Sequence, residues 1–462
     1  MPIVELNYAD RRIHDIKNWC KGSLYPCLLR CSRTIISIIR NLKIRPNAFS
    51  VCYDQIILRK QHKPGAGGEM ITQQTIKRDN MKSIYHLIEE RGGISRAQIA
   101  RTMKLSKTTV SSLADELISL GYIEDTGTQE LQTVGRNPNI LKLKPSSHYA
   151  VCFNWEPETV SVYLVDITGS IVSSVTKQNL SKNNCYIALS QDGLAELLSD
   201  FRCPEKILFY CFIVPGMLCS GKESLYTTRL HIDVPEQEKI IPRLRKTFKD
   251  HTIILLNDTA CYAYAERKIA GIKSNFAYIN MASGIGAAIT IDGQILGSAT
   301  GSATQLGQTK LSYKDSRDVL EEEIGESSLT KTLQQLHIRS SLERISKVTY
   351  RDIGDAVRTS DPGALTLSNL IAEDLANAIL NIITIVGVKL VILGGKSHCL
   401  GGLFLQQVKS YLYKYGFPEM VKDTVIQYTV LDENANITGA VQYCVDQYLD
   451  LADPYKLDYY IG

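Results

Sequence analysis

The sequence predicts an α/β protein in which a winged helix-turn-helix precedes a larger body of alternating strands and helices. Three observations carry this expectation. Residues 72–121 hold three apolar stripes at helical spacing, each with its own start and stop residues. Two strand-like runs joined by a polar loop follow them, as in a wing. Beyond Pro145, short buried-strand runs alternate with helical ones, the pattern of an α/β sheet. The 462 residues suffice for several domains at ~150 residues each, and such a chain buries a core without disulfide staples.

Composition narrows the class. Apolar residues are 44% and charged residues 22%, which excludes a mainly disordered, collagen-like or disulfide-scaffold chain. The apolar runs at 34–39 and 379–386 fall short of the ~20 residues of a spanning helix, so no membrane partner is expected. Glu5 and Asp10 follow Met1 in place of a basic segment, so no secretory signal is expected. Twelve cysteines at irregular spacing, none as CxxC, suit reduced, mostly buried thiols in a cytoplasmic protein. The net +4 divides unevenly: +7 over residues 1–69, +3 over 70–145 and −6 over 146–462. A basic front and an acidic body suggest a nucleic-acid-facing end joined to a different kind of domain.

Residues 1–69 form a basic N-terminal extension with Cys20, Cys27, Cys31 and Cys52, periodic only around residues 28–42. Two accounts fit it: an extra basic arm, or a segment that is not native. Gly67-Gly68-Glu69-Met70 favours the second, because a purine-rich ribosome-binding site before an ATG start translates as Gly-Gly-Glu-Met. Translation is therefore expected to begin at Met70.

The helix-turn-helix comes next. Ile76, Met81, Ile84, Leu87 and Ile88 recur at helical spacing, and Gly92-Gly93 ends that helix. Ser95-Arg96-Ala97-Gln98 is a capping box opening a second helix, with Ile99, Ala100 and Met103 inward. A turn through Lys104 and Leu105 reaches Ser106, the cap of a third helix. Val110, Leu113, Leu117 and Leu120 form its stripe, and Gly121 ends it. Tyr122 and Ile123 start a strand, residues 125–135 form a polar loop, and Ile140, Leu141 and Leu143 return. Two helices joined by a short turn, followed by a wing, bind DNA through the start of the second helix of the pair. That start presents Ser106, Lys107, Thr108, Thr109, Ser111 and Ser112, with donors suited to base edges and phosphates. Arg96 joins this candidate DNA-binding set, and Arg136, between Gly135 and Asn137-Pro138, suits a narrow minor groove or a phosphate. The alternative is a three-helix protein-interaction module without DNA contact.

In the body, runs at 149–153, 160–165 and 171–176 are strand-like, with a turn at 166–169. Runs at 207–214 and 253–256 are short buried strands. The run 276–280 leads into Ala282-Ser283-Gly284-Ile285-Gly286, and 287–291 turns at Asp292-Gly293. A helix over 370–386 leads to Leu390-Val391-Ile392-Leu393-Gly394-Gly395. Together with the winged helix, a series of short motifs falls in a characteristic order. They are Val214-Pro215-Gly216, Asn257-Asp258, Ser283-Gly284-Ile285-Gly286, Gly301-Ser302-Ala303, Leu393-Gly394-Gly395 and Thr438-Gly439-Ala440. In this order and spacing residues 70–462 resemble the transcriptional regulators of the ROK (repressor, open reading frame, kinase) family. The resemblance implies a two-lobed actin/hexokinase-like (ribonuclease H-like) sugar-binding body behind the winged helix.

Departures from the family pattern are equally informative. Family kinases carry an Asp-x-Gly-Gly-Thr phosphate loop where this chain has Asn154-Trp155-Glu156-Pro157-Glu158. Glycines let backbone N–H groups approach phosphates, whereas Trp, Pro and two carboxylates are expected to obstruct and repel an anion. Gly284-Ile285-Gly286 is either a remnant phosphate turn or a tight hairpin. The family's zinc element, Glu-x-Gly-His followed by a cysteine cluster, reads Gln305-Leu306-Gly307-Gln308 here, with no Cys between Cys261 and Cys399. A structural zinc needs about four N/S ligands, so no metal and no cofactor are expected. Carried over from the family's sugar contacts, Asn257, Asp258, Gln305, Gln308 and Glu321 are the candidate effector-binding residues. Asp258 matches the kinases' general base; here it is either an acceptor to an effector or the N-cap of a helix starting at Thr259.

Other features read more plainly. Cys203, Cys211 and Cys219 are expected as buried thiols, and His398-Cys399 as a loop pair. Glu321-Glu322-Glu323 is expected as a solvated helix face, and Tyr411, Tyr413 and Tyr415 as lobe packing.

The expected domains are the extension 1–69, a winged helix-turn-helix at 70–145, a first lobe at 146–258 completed by about 438–462, and a second lobe at 259–437. The expected function is sequence-specific repression of carbohydrate-use genes, xylose use among them, without enzymatic activity. Operator DNA and a small-molecule sugar effector are the expected partners, and a homodimer or homotetramer the expected assembly. The alternatives are an active sugar kinase with an appended DNA-binding domain, or a regulator that answers a protein partner.

Overall fold

The computed structural model describes residues 72–128, 139–180, 185–310 and 319–462. The basic extension and Arg136 lie outside the described residues.

Helix α1 (Gln73–Arg91) buries Met81, Ile84, Tyr85 and Ile88. Ile76, expected inward, is 50% exposed, because the first two turns of α1 precede the point where the helix enters the core. Helix α2 (Arg96–Met103) starts at Ser95 with the expected capping box to Gln98. Lys104 turns the chain in the left-handed region, φ 56°. Ser106 then caps α3 (Lys107–Ser119), accepting from the Thr109 N–H. Strands β1 (Ile123–Thr128) and β2 (Asn139–Leu143) pair antiparallel, with Ile94–Ser95 on the far edge of β2. Two expectations shift here. β1 runs through Thr128, into the expected loop. Tyr122 does not begin the strand: it is buried beneath it and stacks on His148, ring centroids 4.7 Å apart.

The first body sheet holds β3 (Tyr149–Trp155), β4 (Thr159–Asp166), β5 (Ile171–Gln178), β6 (Ile207–Val214), β7 (Thr252–Asn257) and a late strand, Tyr459–Ile461. β3, β4 and β5 form an antiparallel meander; β6, β7 and Tyr459–Ile461 add in parallel beside β3. The second sheet repeats the plan. β8 (Phe276–Met281), β9 (Ile285–Ile291) and β10 (Gln294–Ile295) form the meander, and β11 (Leu390–Gly395) and β12 (Val425–Tyr428) add in parallel beside β8. The first sheet is thus three strands plus three and the second three plus two, and this repeated plan of a meander extended by parallel strands is the actin/hexokinase-like one. β3, β6, β7 and β8 are covered on both faces, hence their nearly unbroken apolar runs.

Four helices matter for the site. α4 (Tyr186–Leu197) covers one face of the first sheet, and α5 (Asp258–Lys268) and α7 (Ala435–Gln447) cover the other. α5 and α7 approach so closely that a Cβ on Gly439 would collide with the Cys261 carbonyl. α6 (Pro362–Val386) starts eight residues before the expected helix, because Asp361 caps it through the Ala364 N–H. Its length and apolarity would satisfy a spanning helix, but Leu367, Ile371, Leu375 and Ile379 are buried in the second lobe's core.

One apolar core unites the winged helix and the first lobe. It runs from Met81, Leu113 and Leu141 through Cys152 and Cys211 to Ala260 and Val441.

Candidate functional site

The start of α3 is the candidate DNA-reading surface. Ser106, Lys107, Thr108, Thr109 and Ser112 are exposed, and Ser111 is half-buried. The Ser106 hydroxyl accepts from the Thr109 N–H at 3.0 Å and lies 2.8 Å from both the Thr108 and Thr109 hydroxyls. This fixes the first turn of α3 while each hydroxyl keeps further hydrogen-bonding capacity. Arg96 Nη1 pairs with Asp115 Oδ1 at 2.7 Å, so this guanidinium ties α2 to α3.

The second site lies where the two lobes face each other. β7 ends at Asn257, which is the N-cap of α5: its Oδ1 accepts from the Ala260 N–H at 3.0 Å, and its Nδ2 donates to the Gly216 carbonyl at 2.8 Å. The cap role expected for Asp258 therefore belongs to Asn257, because the strand runs one residue longer and α5 begins at Asp258 itself. Asp258 Oδ1 accepts from the Thr259 N–H at 2.7 Å. Burial pushes its carboxyl up to about 6; Thr259's bonds lower it, Glu156 raises it and Arg229 lowers it. A group held this far from its ordinary range in a cleft is a functional-site candidate.

Glu321 corrects a second expectation. It is buried, whereas Glu322 is exposed and Glu323 half-buried, so the triplet is not one solvated face. Its Oε1 accepts from Gln308 Nε2 at 2.5 Å and from Thr228 Oγ1 at 3.1 Å. Gln308 thus orients Glu321 through a hydrogen bond. Gln305 is exposed and donates to the Gly301 carbonyl.

Thr228 and Arg229 were not singled out from sequence. They lie in the loop after Ser224–Tyr226, with no periodicity to mark them. Arg229 reaches from the first lobe to the second: its Nη1 donates to Ser327 Oγ at 3.4 Å and stands 4.0 Å from Glu321 Oε2. Gly284 makes room for it, since a Cβ there would lie 2.6 Å from the guanidinium carbon. Gly286 similarly admits the Thr259 hydroxyl. Gly284, in the turn that joins β8 to β9, and Gly286, within β9, therefore serve close packing.

The loop after β3 needs one correction. Trp155 does not obstruct the cleft: it is buried against Tyr186 and Phe212, and its Nε1 donates to Ser190 Oγ at 3.0 Å. Along a strand, successive side chains alternate faces, which sends Trp155 into the core beneath α4. Asn154, on the opposite face, accepts from Asn436 Nδ2 at 3.2 Å. Glu156 and Glu158 are exposed, and Glu156 is the carboxylate that acts on Asp258.

At the far end of α5, Lys268 Nζ lies 2.8 Å from Glu89 Oε2 of α1 and 3.0 Å from Asp446 Oδ2 of α7. His86 Nδ1 stands 3.4 Å from Asp446 and 3.5 Å from Glu89. The ligand atoms of His86, Glu89 and Asp446 are close enough for a metal ion, but the Lys268 ammonium already supplies the positive charge there. Burial works against that charge, and the two carboxylates outweigh it, raising its pKa.

Remaining expectations divide. Cys211 is buried, while Cys203 and Cys219 are half-buried, and of the eight described cysteines four are fully buried. Cys399 Sγ lies 3.5 Å from His398 Nε2. Tyr411 stacks on Tyr415, while Tyr413 is 58% exposed rather than packed between lobes.

Comparison with known proteins agrees with this anatomy. Residues 158–446 match the ROK family model, and residues 84–130 match that of the MarR family. The chain is 23% identical over 403 residues to the xylose repressor of Caldicellulosiruptor bescii, spanning 82% of this chain and 98% of that protein. A solved ROK family transcriptional regulator, a homolog of the Escherichia coli MLC protein, superposes with a TM-score of 0.69 at 19% identity, covering 82% of this chain and 98% of its own. A putative sugar kinase from Cytophaga hutchinsonii shares the body fold, with a TM-score of 0.52 at 18% identity over 64% of this chain and 99% of its own.

Proposed function

The chain belongs to the ROK family, and from that premise we propose that it is a DNA-binding transcriptional repressor of carbohydrate-use genes whose operator affinity answers a sugar or sugar derivative. The observation that carries this is the course of α5. Its first residue, Asp258, stands in the cleft, and its last, Lys268, holds Glu89 of the winged helix. A ligand that favours one arrangement of the lobes moves α5, and with it the helix that carries the DNA-reading unit. It can do so only by binding one arrangement more tightly than the other.

Residues 70–145 are the DNA-binding domain on this proposal, with Lys107, Thr108 and Thr109 in the major groove. Arg136 reaches the minor groove or a phosphate. Asp258, Gln305, Gln308 and Glu321 face the effector, and Asn257 holds the start of α5 in place. The regulator acts in the cytoplasm as a homodimer or homotetramer, and its two-fold symmetry favours a pseudo-palindromic operator. The name of the Caldicellulosiruptor relative makes xylose-use genes the first candidates. The protein is not an enzyme: acidic side chains and Pro157 replace the glycines that a nucleotide phosphate needs.

Fluorescence anisotropy with DNA from sugar-use promoters tests the binding claim. Saturable binding that exceeds a scrambled duplex by at least tenfold is expected. ATP-dependent phosphorylation of a sugar, lost in Asp258→Ala, would replace the regulator with a kinase.

A further inference from the structure

The geometry points to an acidic sugar derivative, a sugar carboxylate or sugar phosphate, as the effector of the cleft, with Arg229 as the residue that selects its acidic group. This rests on the sugar-responsive function proposed above and specifies the ligand's chemistry.

Arg229 is largely buried, with 18% of its side chain exposed, yet poorly satisfied. Of its five N–H donors, the guanidinium spends one on Ser327 Oγ, at a long 3.4 Å. Nη2 is buried and has no hydrogen-bond partner among the described residues. A buried guanidinium without acceptors is costly, so a site that keeps one is missing an acceptor.

Glu321 is not that acceptor. A charge-assisted pair closes to about 2.7–2.9 Å, whereas Arg229 stops 4.0 Å from Glu321 Oε2. Glu321 Oε1 is already engaged by Thr228 and Gln308. The guanidinium is positioned rather than stranded, because Gly284 leaves the space it fills. Burial also lowers its pKa, the response of a cation short of counter-charge.

The rest of the cleft limits the ligand. Glu156, Asp258 and Glu321 accept hydrogen bonds from hydroxyls and repel an anion placed beside them. Among the described residues Arg229 is the cation that acts on Asp258 and Glu321, so an oxyanion has its place on the Arg229 side and the hydroxyls on the carboxylate side. A planar fork of N–H donors matches carboxylate and phosphate oxygens in pairs. A neutral sugar would leave Nη2 without a charged partner.

Calorimetry on the full chain decides, with D-xylose against D-xylonate, and D-glucose against D-gluconate and D-glucose 6-phosphate. At least one acid should bind about tenfold or more tightly than its neutral parent. Preference for an aldonate or for the phosphate identifies the source of the acid. Arg229→Gln should weaken that acid by about ten- to a hundredfold and its neutral parent by less than about threefold. Arg229→Lys should retain part of the preference, and the thermal midpoints of both variants report folding. Neutral sugars binding as tightly as acids, or Arg229→Gln leaving acid binding unchanged, overturns the proposal but leaves a sugar-responsive regulator. Failure of every sugar and acid to bind overturns both.

Discussion

Lys268 and Glu89 stand 2.8 Å apart, an ion pair between the helix that starts in the interlobe cleft and the first helix of the winged helix-turn-helix. Asp446 completes the group at 3.0 Å, and Tyr264 donates its hydroxyl to the same carboxylate. Lys268→Met leaves two neighbouring carboxylates without their ammonium. Loss of about 2–3 kcal/mol is expected at pH 7, below the ~3–5 of a fully buried pair because a fifth of the Lys268 and Glu89 side chains meets solvent. Urea denaturation measures it. The variant that still binds operator should respond to effector less strongly than wild type. An unchanged response would remove α5 from the coupling.

Asp258 gives a pH-dependent prediction. Its folded carboxyl titrates at about 6 against an ordinary 3.8. As pH rises from 4 to 6 the unfolded chain ionises first, so this group draws the balance toward unfolding, and the cost is complete above pH 6. Asp258→Asn should therefore stabilise the protein at pH 7 by on the order of 1–3 kcal/mol. The gain should fade between pH 6 and 4. Equal stabilities at pH 7 would contradict the deep placement of this carboxyl.

Lys107→Ala should weaken operator binding by about 1 kcal/mol and lower the salt slope by about 1 if its ammonium meets a phosphate. Arg136→Ala should weaken binding without lowering the thermal midpoint. Unchanged affinity in both variants would move the reading surface elsewhere.

Two buried aromatics should differ sharply. Trp155→Ala opens a cavity in the first lobe and removes the indole N–H that the Ser190 hydroxyl accepts, a loss of about 3–5 kcal/mol. The Tyr122 hydroxyl is buried without a hydrogen-bond partner among the described residues, and burial raises its pKa, so it stays neutral. Tyr122→Phe should change stability by less than about 0.5 kcal/mol, or raise it. Denaturant midpoints distinguish the two outcomes.

The sequence was most legible where the physics is local. Ser95 and Ser106 cap helices within three residues of their partners, and the unbroken apolar run of β6 marked a strand covered on both faces. Legibility failed where a role depends on distant partners. Glu321 looked like part of an exposed acidic run because Thr228, which helps bury it, lies 93 residues away. Lys268 and Glu89 lie 179 residues apart. Arg229 belongs to no periodic pattern, and only the facing lobe gives its loop meaning. Asn257 and Asp258 were confused because a one-residue shift in a strand's end exchanges cap and first helical residue. Trp155 was misplaced for a related reason: strand alternation, not residue type, decides which side chain enters the core.

The most direct test is genome-wide mapping of DNA bound by the full chain in cells grown with and without the regulated sugar. Discrete sites upstream of carbohydrate-use genes are expected, with occupancy falling severalfold when the sugar is supplied. No enriched sites, or occupancy that ignores the sugar, would contradict a sugar-responsive repressor.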